Sequence, residues 1–337
     1  MKKFFILVAS IGLLVTSCRK IEMDGNTTNT VSPTSENTIL EGRIITNLTL
    51  KASNVYKLRG LVYVTNGAIL TIEPGTKIVG ESGKNGALII CRGAKIIADG
   101  TADKPIVFTS EAAVPQRGDW AGVVILGNAP TNSSFNGTAG IGEIEGGINN
   151  SDGLGLYGLG TSSNVADNSG ILRYVRIEYA GYAFLPDKEI NGLTFGGVGN
   201  QTIVDYVQVS YANDDSFEWF GGTVNCKHLI SFRALDDDFD TDNGFSGKIQ
   251  FGIALRDSSV ADISKSEAFE CDNDANGSDT KTTVTPINGS NGTIIAPVRT
   301  SAVFSNMTVL GPKVYSNSVG NSLFLAGAQL RRNCEQS

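Results

Sequence analysis

Between Val204 and Gly244 the chain repeats itself. With an offset of 22 residues, Val207 falls on Leu229, Tyr211 on Arg233, Asp214 on Asp236, Asp215 on Asp237, Phe217 on Phe239 and Glu218 on Asp240. The aromatic-acid step returns 30 residues later as Phe269-Glu270. A fixed aromatic followed by a fixed acid at such intervals marks a solenoid, in which each coil buries its apolar face only by stacking on its neighbours. Adjacent residues of a strand point to opposite faces, so Phe217, Phe239 and Phe269 are expected to stack inward and Glu218, Asp240 and Glu270 outward. Carboxylates stacked about 5 Å apart repel by roughly 3 kcal/mol per pair at an effective dielectric of about 20, and nearer 1 in water. Such a column binds a cation, shifts its proton affinities, or stays well solvated.

The rest of the chain fits a coiled architecture. From Leu70 the spacing reads as 18 residues: Leu70-Thr71-Ile72 recurs as Leu88-Ile89-Ile90, and Ile106-Val107-Phe108 follows at the same step. Forty glycines, and turns such as Pro74-Gly75 and Arg92-Gly93, punctuate short β segments, and no sustained apolar helical period is present. Eighteen residues per coil also suits a left-handed hexapeptide helix, but the hexad pattern is patchy and later coils lengthen to 22 and 30. The expected fold is all-β, a right-handed parallel β-helix built as a single-stranded solenoid, the hand following from the parallel crossover rule.

Three segments stand outside that repeat. Residues 1–18 read as a lipoprotein signal peptide, with Lys2 and Lys3 before an apolar run and Val15-Thr16-Ser17-Cys18 resembling a lipobox whose Cys18 is acylated. Arg19 follows the cysteine in place of an inner-membrane-retaining Asp, so the outer membrane is the expected address, with lipid as a partner through Cys18. Residues 19–40 read as a flexible tether, and 41–337 as the β-helix, with a Gly-rich loop insertion at 128–170. Nothing after Phe304–Leu310 looks like a cap, so the helix is expected to be truncated at its C-terminus. The formal charge of −7 disfavours nucleic acid as a partner. Cys91, Cys226, Cys271 and Cys334 lack the spacing of a zinc site, and buried thiols are expected.

Asp119-Trp120-Ala121-Gly122-Val123, the Arg173–Gly181 coil and above all Asp236–Asp257 resemble a group of Gram-negative lipoproteins with a right-handed parallel β-helix. The resemblance covers about residues 60–337. Members mostly lack an assigned activity, and their fold is similar to that of pectin-degrading lyases and hydrolases. The likeness implies a surface lipoprotein without implying catalysis, since fold alone does not give function.

Two acidic constellations are candidate Ca²⁺ sites. The first stacks Asp214, Asp215 and Glu218 against Asp236, Asp237, Asp238, Asp240 and Asp242. Hard oxygen ligands at this density favour Ca²⁺ over transition metals; the plainer alternative is a solvated acidic ridge. The second is Asp272, Asp274, Asn276 and Asp279, a D-x-D-x-N-G opening to which Glu270 could add. Thr283 stands where an EF-hand needs Glu, so a shorter cage or a self-satisfied Asx turn remains. Tyr179, Tyr211 and Trp219 border the acids as candidate stacking surfaces for sugar, and Arg233 as a ligand contact or a weak candidate base. His228, aligned with Tyr206 and Tyr174, reads as a ladder position, and a Ser-His-Asp triad finds no support. The expected function is non-catalytic binding of a polysaccharide or a surface protein, with Ca²⁺ on the acidic face. The alternatives are a Ca²⁺-dependent, pectate-type polysaccharide lyase and a structural spacer.

Overall fold

The computed structural model describes residues 38–82, 86–185, 188–262, 266–274, 284–289 and 292–311. Cys18, Asn276, Asp279 and Cys334 therefore lie outside the described residues. Short strands join by parallel pairing into three sheets that wrap one core. Sheet A runs through residues 39–41, 55–58, 77–80, 106–110, 175–178, 207–210, 229–232, 253–255 and 308–310. Sheet B runs through 42–44, 61–64, 87–90, 122–126, 193–196, 217–220, 239–242 and 270–271. Sheet C runs through 48–50, 69–72, 95–99, 170–173, 203–205, 225–227, 248–250 and 303–305. The chain is a parallel β-helix.

The 22- and 30-residue steps are true coil steps. Phe217 pairs with Phe239, Glu218 with Asp240, and Asp240 with Glu270. The rings of Phe217, Phe239 and Phe269 stack at 5.6 and 5.7 Å between centroids. Stacked aromatics contribute about 0.5–1.5 kcal/mol per pair beyond their burial. The 18-residue step, by contrast, is not a coil. Leu70 in sheet C pairs with Ile96, whereas Leu88 in sheet B pairs with Val62. The step therefore links strands on different faces, because all three faces draw on the same short β-branched segments.

Coil corners fall on single residues in the left-handed conformation. Tyr174, Tyr206, His228 and Phe251 have φ between 50° and 62° where the chain turns from sheet C to sheet A. Tyr179, Tyr211 and Arg233 have φ of 57° to 61° where it leaves sheet A. Bulky residues avoid this region; here the stacking of equivalent side chains from coil to coil offsets the strain. Tyr174 stacks on Tyr206 at 4.6 Å, Tyr206 on His228 at 4.2 Å and Tyr179 on Tyr211 at 5.1 Å.

Residues 128–170 lie over the outer side of sheet B. Ile144, Ile148 and Tyr157 form a second apolar cluster with Tyr63, Ile89, Val124, Leu126 and Phe220. The Tyr63 hydroxyl donates to the Ile148 carbonyl at 2.6 Å, and Arg92 to the Gly158 carbonyl at 2.7 Å. Gly196 is required beneath this cover, since a Cβ there would come within 2.8 Å of Tyr157 Cγ. Cys91 and Cys226 are buried free thiols.

Candidate metal centre

One outward column of sheet B leads from the apolar cover to the acids. Register places Tyr63, Ile89, Val124, Thr194, Glu218, Asp240 and Glu270 side by side in successive coils. A parallel column separates neighbours by about 4.8 Å. Glu218 and Asp240 point outward as the alternation requires, but they do not form a solvated ridge. Glu218 is buried and Asp240 partly buried, with Asp215 buried beside them. Carboxylate oxygens of Asp215, Glu218 and Asp240 lie within 4.8 Å of one another, as do those of Asp214, Asp215 and Asp236. At that separation repulsion costs about 3 kcal/mol per ionised pair at an effective dielectric of about 20.

A second column explains part of this acid density. Asn191, Asp215, Asp237 and Glu267 occupy equivalent places just before the strands of sheet B. The Asn191 side-chain oxygen accepts the Asp215 N–H at 3.2 Å, Asp215 accepts the Asp237 N–H at 2.8 Å, and Asp237 accepts the Glu267 N–H. Each side chain thus satisfies a backbone donor of the next coil that would otherwise be buried unpaired. Asp215 belongs to this column and to the carboxylate trio, with one oxygen holding backbone. Asn191 also donates to Glu218 Oε2, and so ties the two columns together.

The electrostatics are those of a site short of positive charge. Asp215, Glu218 and Asp240 form no ion pair with a basic side chain among the described residues. Burial pushes the Glu218 carboxyl well above its ordinary range, aided by Glu145 from the insertion and by Asp240. Burial does the same to Asp240, with Glu270 and Asp242 adding to it, and to Asp215, with Asp214 adding. Asp237 is pushed up too, and Asp242 rises to about 7, burial being the main cause in both. Two buried oxygens of the outward column, Oδ1 of Asp240 and Oγ1 of Thr194, have no hydrogen-bond partner among the described residues. An unmade buried hydrogen bond costs about 1–3 kcal/mol, and a hard cation bound by the Asp240 oxygen would remove that cost there. The donor set, three converging carboxylates, fits Ca²⁺.

The other sequence candidates are dispersed. Asp238 turns away and forms a buried ion pair with Arg256 at 3.2 Å, also accepting from the Ser231 hydroxyl. The charges of Asp272 and Asp274 help to raise Asp242, and that of Asp272 also bears on Asp240. Trp219 cannot stack on a ligand: it is fully buried in the core, against Phe195 and Phe217. The alternation of the strand puts it on the inner side with Phe217. Tyr179, Tyr211 and Arg233 stand on a coil corner, where Arg233 faces Asp257 at 3.6 Å and lies over the Phe232 ring. Asn191, Thr194 and Glu145 escaped the sequence reading. The first two were within reach, since Asn191 and Thr194 each stand 24 residues before Asp215 and Glu218. Glu145 approaches only through the folding of the insertion.

No curated protein and no solved structure matches this chain. A family model described as a pectate-lyase-like β-helix domain matches residues 42–319. With parallel strands wrapping one core among the described residues of that span, the chain belongs to the pectate-lyase-like β-helix domain family.

Proposed function

We propose that this is a lipid-anchored surface protein of the outer membrane that binds a polysaccharide or a surface protein without catalysis, and that Ca²⁺ in the acidic pocket of sheet B holds its insertion in place. Cys18 carries the anchor in this reading. The observation that carries the cation is the trio Asp215, Glu218 and Asp240, gathered within 4.8 Å without a basic partner among the described residues. Glu145 brings the insertion into the same field, so neutralising the trio also relieves a repulsion between the insertion and the sheet.

A Ca²⁺-dependent lyase with Arg233 as its base draws less support, because Arg233 faces Asp257 and Phe232 rather than the trio. New absorbance from an unsaturated product on pectin would revive it. A structural spacer is the remaining alternative.

The test is thermal melting of chelator-stripped protein titrated with CaCl₂, with MgCl₂ in parallel. A ligand that binds only the native state adds about 2.7 kcal/mol at a hundredfold excess over Kd, so Tm should climb and saturate. Asp240→Asn should abolish the rise. A Tm that ignores Ca²⁺ at millimolar concentration removes the cation from this function.

A further inference from the structure

Sheet A carries a groove that contains no member of the acid cluster. It has a volume of about 510 Å³, within the roughly 300–1,000 Å³ of ligand sites. Its wall is the corner ladder Tyr174, Tyr206, His228 and Phe251; its floor is Arg176, Gln208, Ile230 and Ile253, outward residues of successive coils. The ladder rings stack at 4.6, 4.2 and 5.1 Å with interplanar angles of 5° to 11°. Their faces are therefore taken up by one another, and the groove meets ring edges, phenol hydroxyls and imidazole.

The one basic side chain of the lining, Arg176, already has a partner. Arg176 pairs with Glu178, and Nδ1 of His228 with Asp205 at 2.7 Å. With Nδ1 so held and the ring clamped between Tyr206 and Phe251, Nε2 is the nitrogen left for a ligand. Apolar surface is nonetheless open to solvent, with Tyr206 40 %, Phe251 42 % and Ile253 42 % exposed. Along the floor one side chain per coil is presented at about 4.8 Å, the polar Arg176 and Gln208 followed by the apolar Ile230 and Ile253. That regular spacing of polar and apolar groups matches an unbranched chain of repeating units, each with an apolar C–H face and a rim of hydroxyls, and the lining offers no uncommitted basic side chain for an acidic one.

We propose that this groove is a binding site for a neutral, linear hexose oligosaccharide, whose hydroxyls meet Gln208, the tyrosine hydroxyls and His228 Nε2 while its C–H faces lie on Ile230 and Ile253. The site supplies the polysaccharide of the function proposed above, but does not depend on the cation.

His228 is the one histidine of the chain, so its imidazole C–H proton is a unique NMR reporter. The protein, kept in chelator, is titrated with β-1,4- and β-1,3-linked glucose hexaoses and with a hexameric uronate. A saturable His228 shift with a neutral hexaose is expected, with affinity weakened about tenfold, or 1.4 kcal/mol, in Ile253→Asp and in Gln208→Ala. Both substitutions are on the outer side of the sheet, and Gln208→Ala introduces no charge. Glu218→Gln should leave the shift intact. Silence of the resonance with every neutral chain, a response to the uronate alone, or undiminished binding in both variants overturns the proposal. Because chelator is present throughout, failure of the Ca²⁺ reading leaves this result untouched, and the converse also holds.

Discussion

The outward column of sheet B has one backbone geometry and two chemistries. At Tyr63, Ile89 and Val124 it is apolar and lies under the Gly-rich insertion; at Glu218 and Asp240 it is acidic and gathered beneath Glu145. Both ends exclude water, but only the apolar end is self-sufficient, since its burial is favourable at about 25 cal/mol per Å². The acidic end carries repulsion and unmade hydrogen bonds, so its geometry makes sense with a counter-charge. Equal burial therefore has opposite meaning along one column: cohesion at one end, a waiting charge deficit at the other.

The sharpest way to break that contrast is to move an acid into the apolar end. Val124→Asp buries a carboxylate in the apolar cluster beneath the insertion, and should lower stability by about 3–5 kcal/mol, read as a shifted denaturant midpoint. If the midpoint holds, the cover over Val124 is open to water and the comparison fails.

A smaller effect is expected from relieving the acidic end. Glu218→Gln removes one ionised partner and should stabilise the chelator-treated protein at pH 8 by about 1–3 kcal/mol, while blunting its response to Ca²⁺. The pH dependence has a definite sign. Acids with raised folded pKa values hold more protons in the native state than unfolded, so stability without the cation falls as pH rises. For Asp242 the window runs from the ordinary carboxylate value of 3.8 up to about 7. Melting should therefore be higher at pH 5 than at pH 8 in chelator, and saturating Ca²⁺ should narrow the gap. A stability that climbs over this range without the cation would mean that the acids are solvated and ionised.

The least effect belongs to the corner. Arg233→Ala breaks a partly exposed pair with Asp257 at 3.6 Å, which should cost under about 1 kcal/mol and leave Ca²⁺ binding unchanged. A lost calcium response in this variant would bring Arg233 back to the acids.

What the amino-acid order determined by itself is the coil. The alternation of Phe217 with Glu218 and of Phe239 with Asp240 fixes which side chains face the core, because a strand has a period of two and a one-residue slip would invert every residue. The same alternation seats Trp219 inside, and it was legible wherever the 22-residue step held. Tertiary structure decided the rest. Strands at Leu70 and Leu88 look alike in sequence yet lie on different faces, since local composition does not record which corner comes next. Whether Glu218 is wet or dry depends on where residues 128–170 settle, and Glu145 meets it across 73 positions of chain. Nor does any local signal separate Asp238, neutralised by Arg256, from Asp240 two residues on, which has no such partner among the described residues. Register is a property of neighbouring residues; burial and charge balance belong to whatever the fold brings from far away.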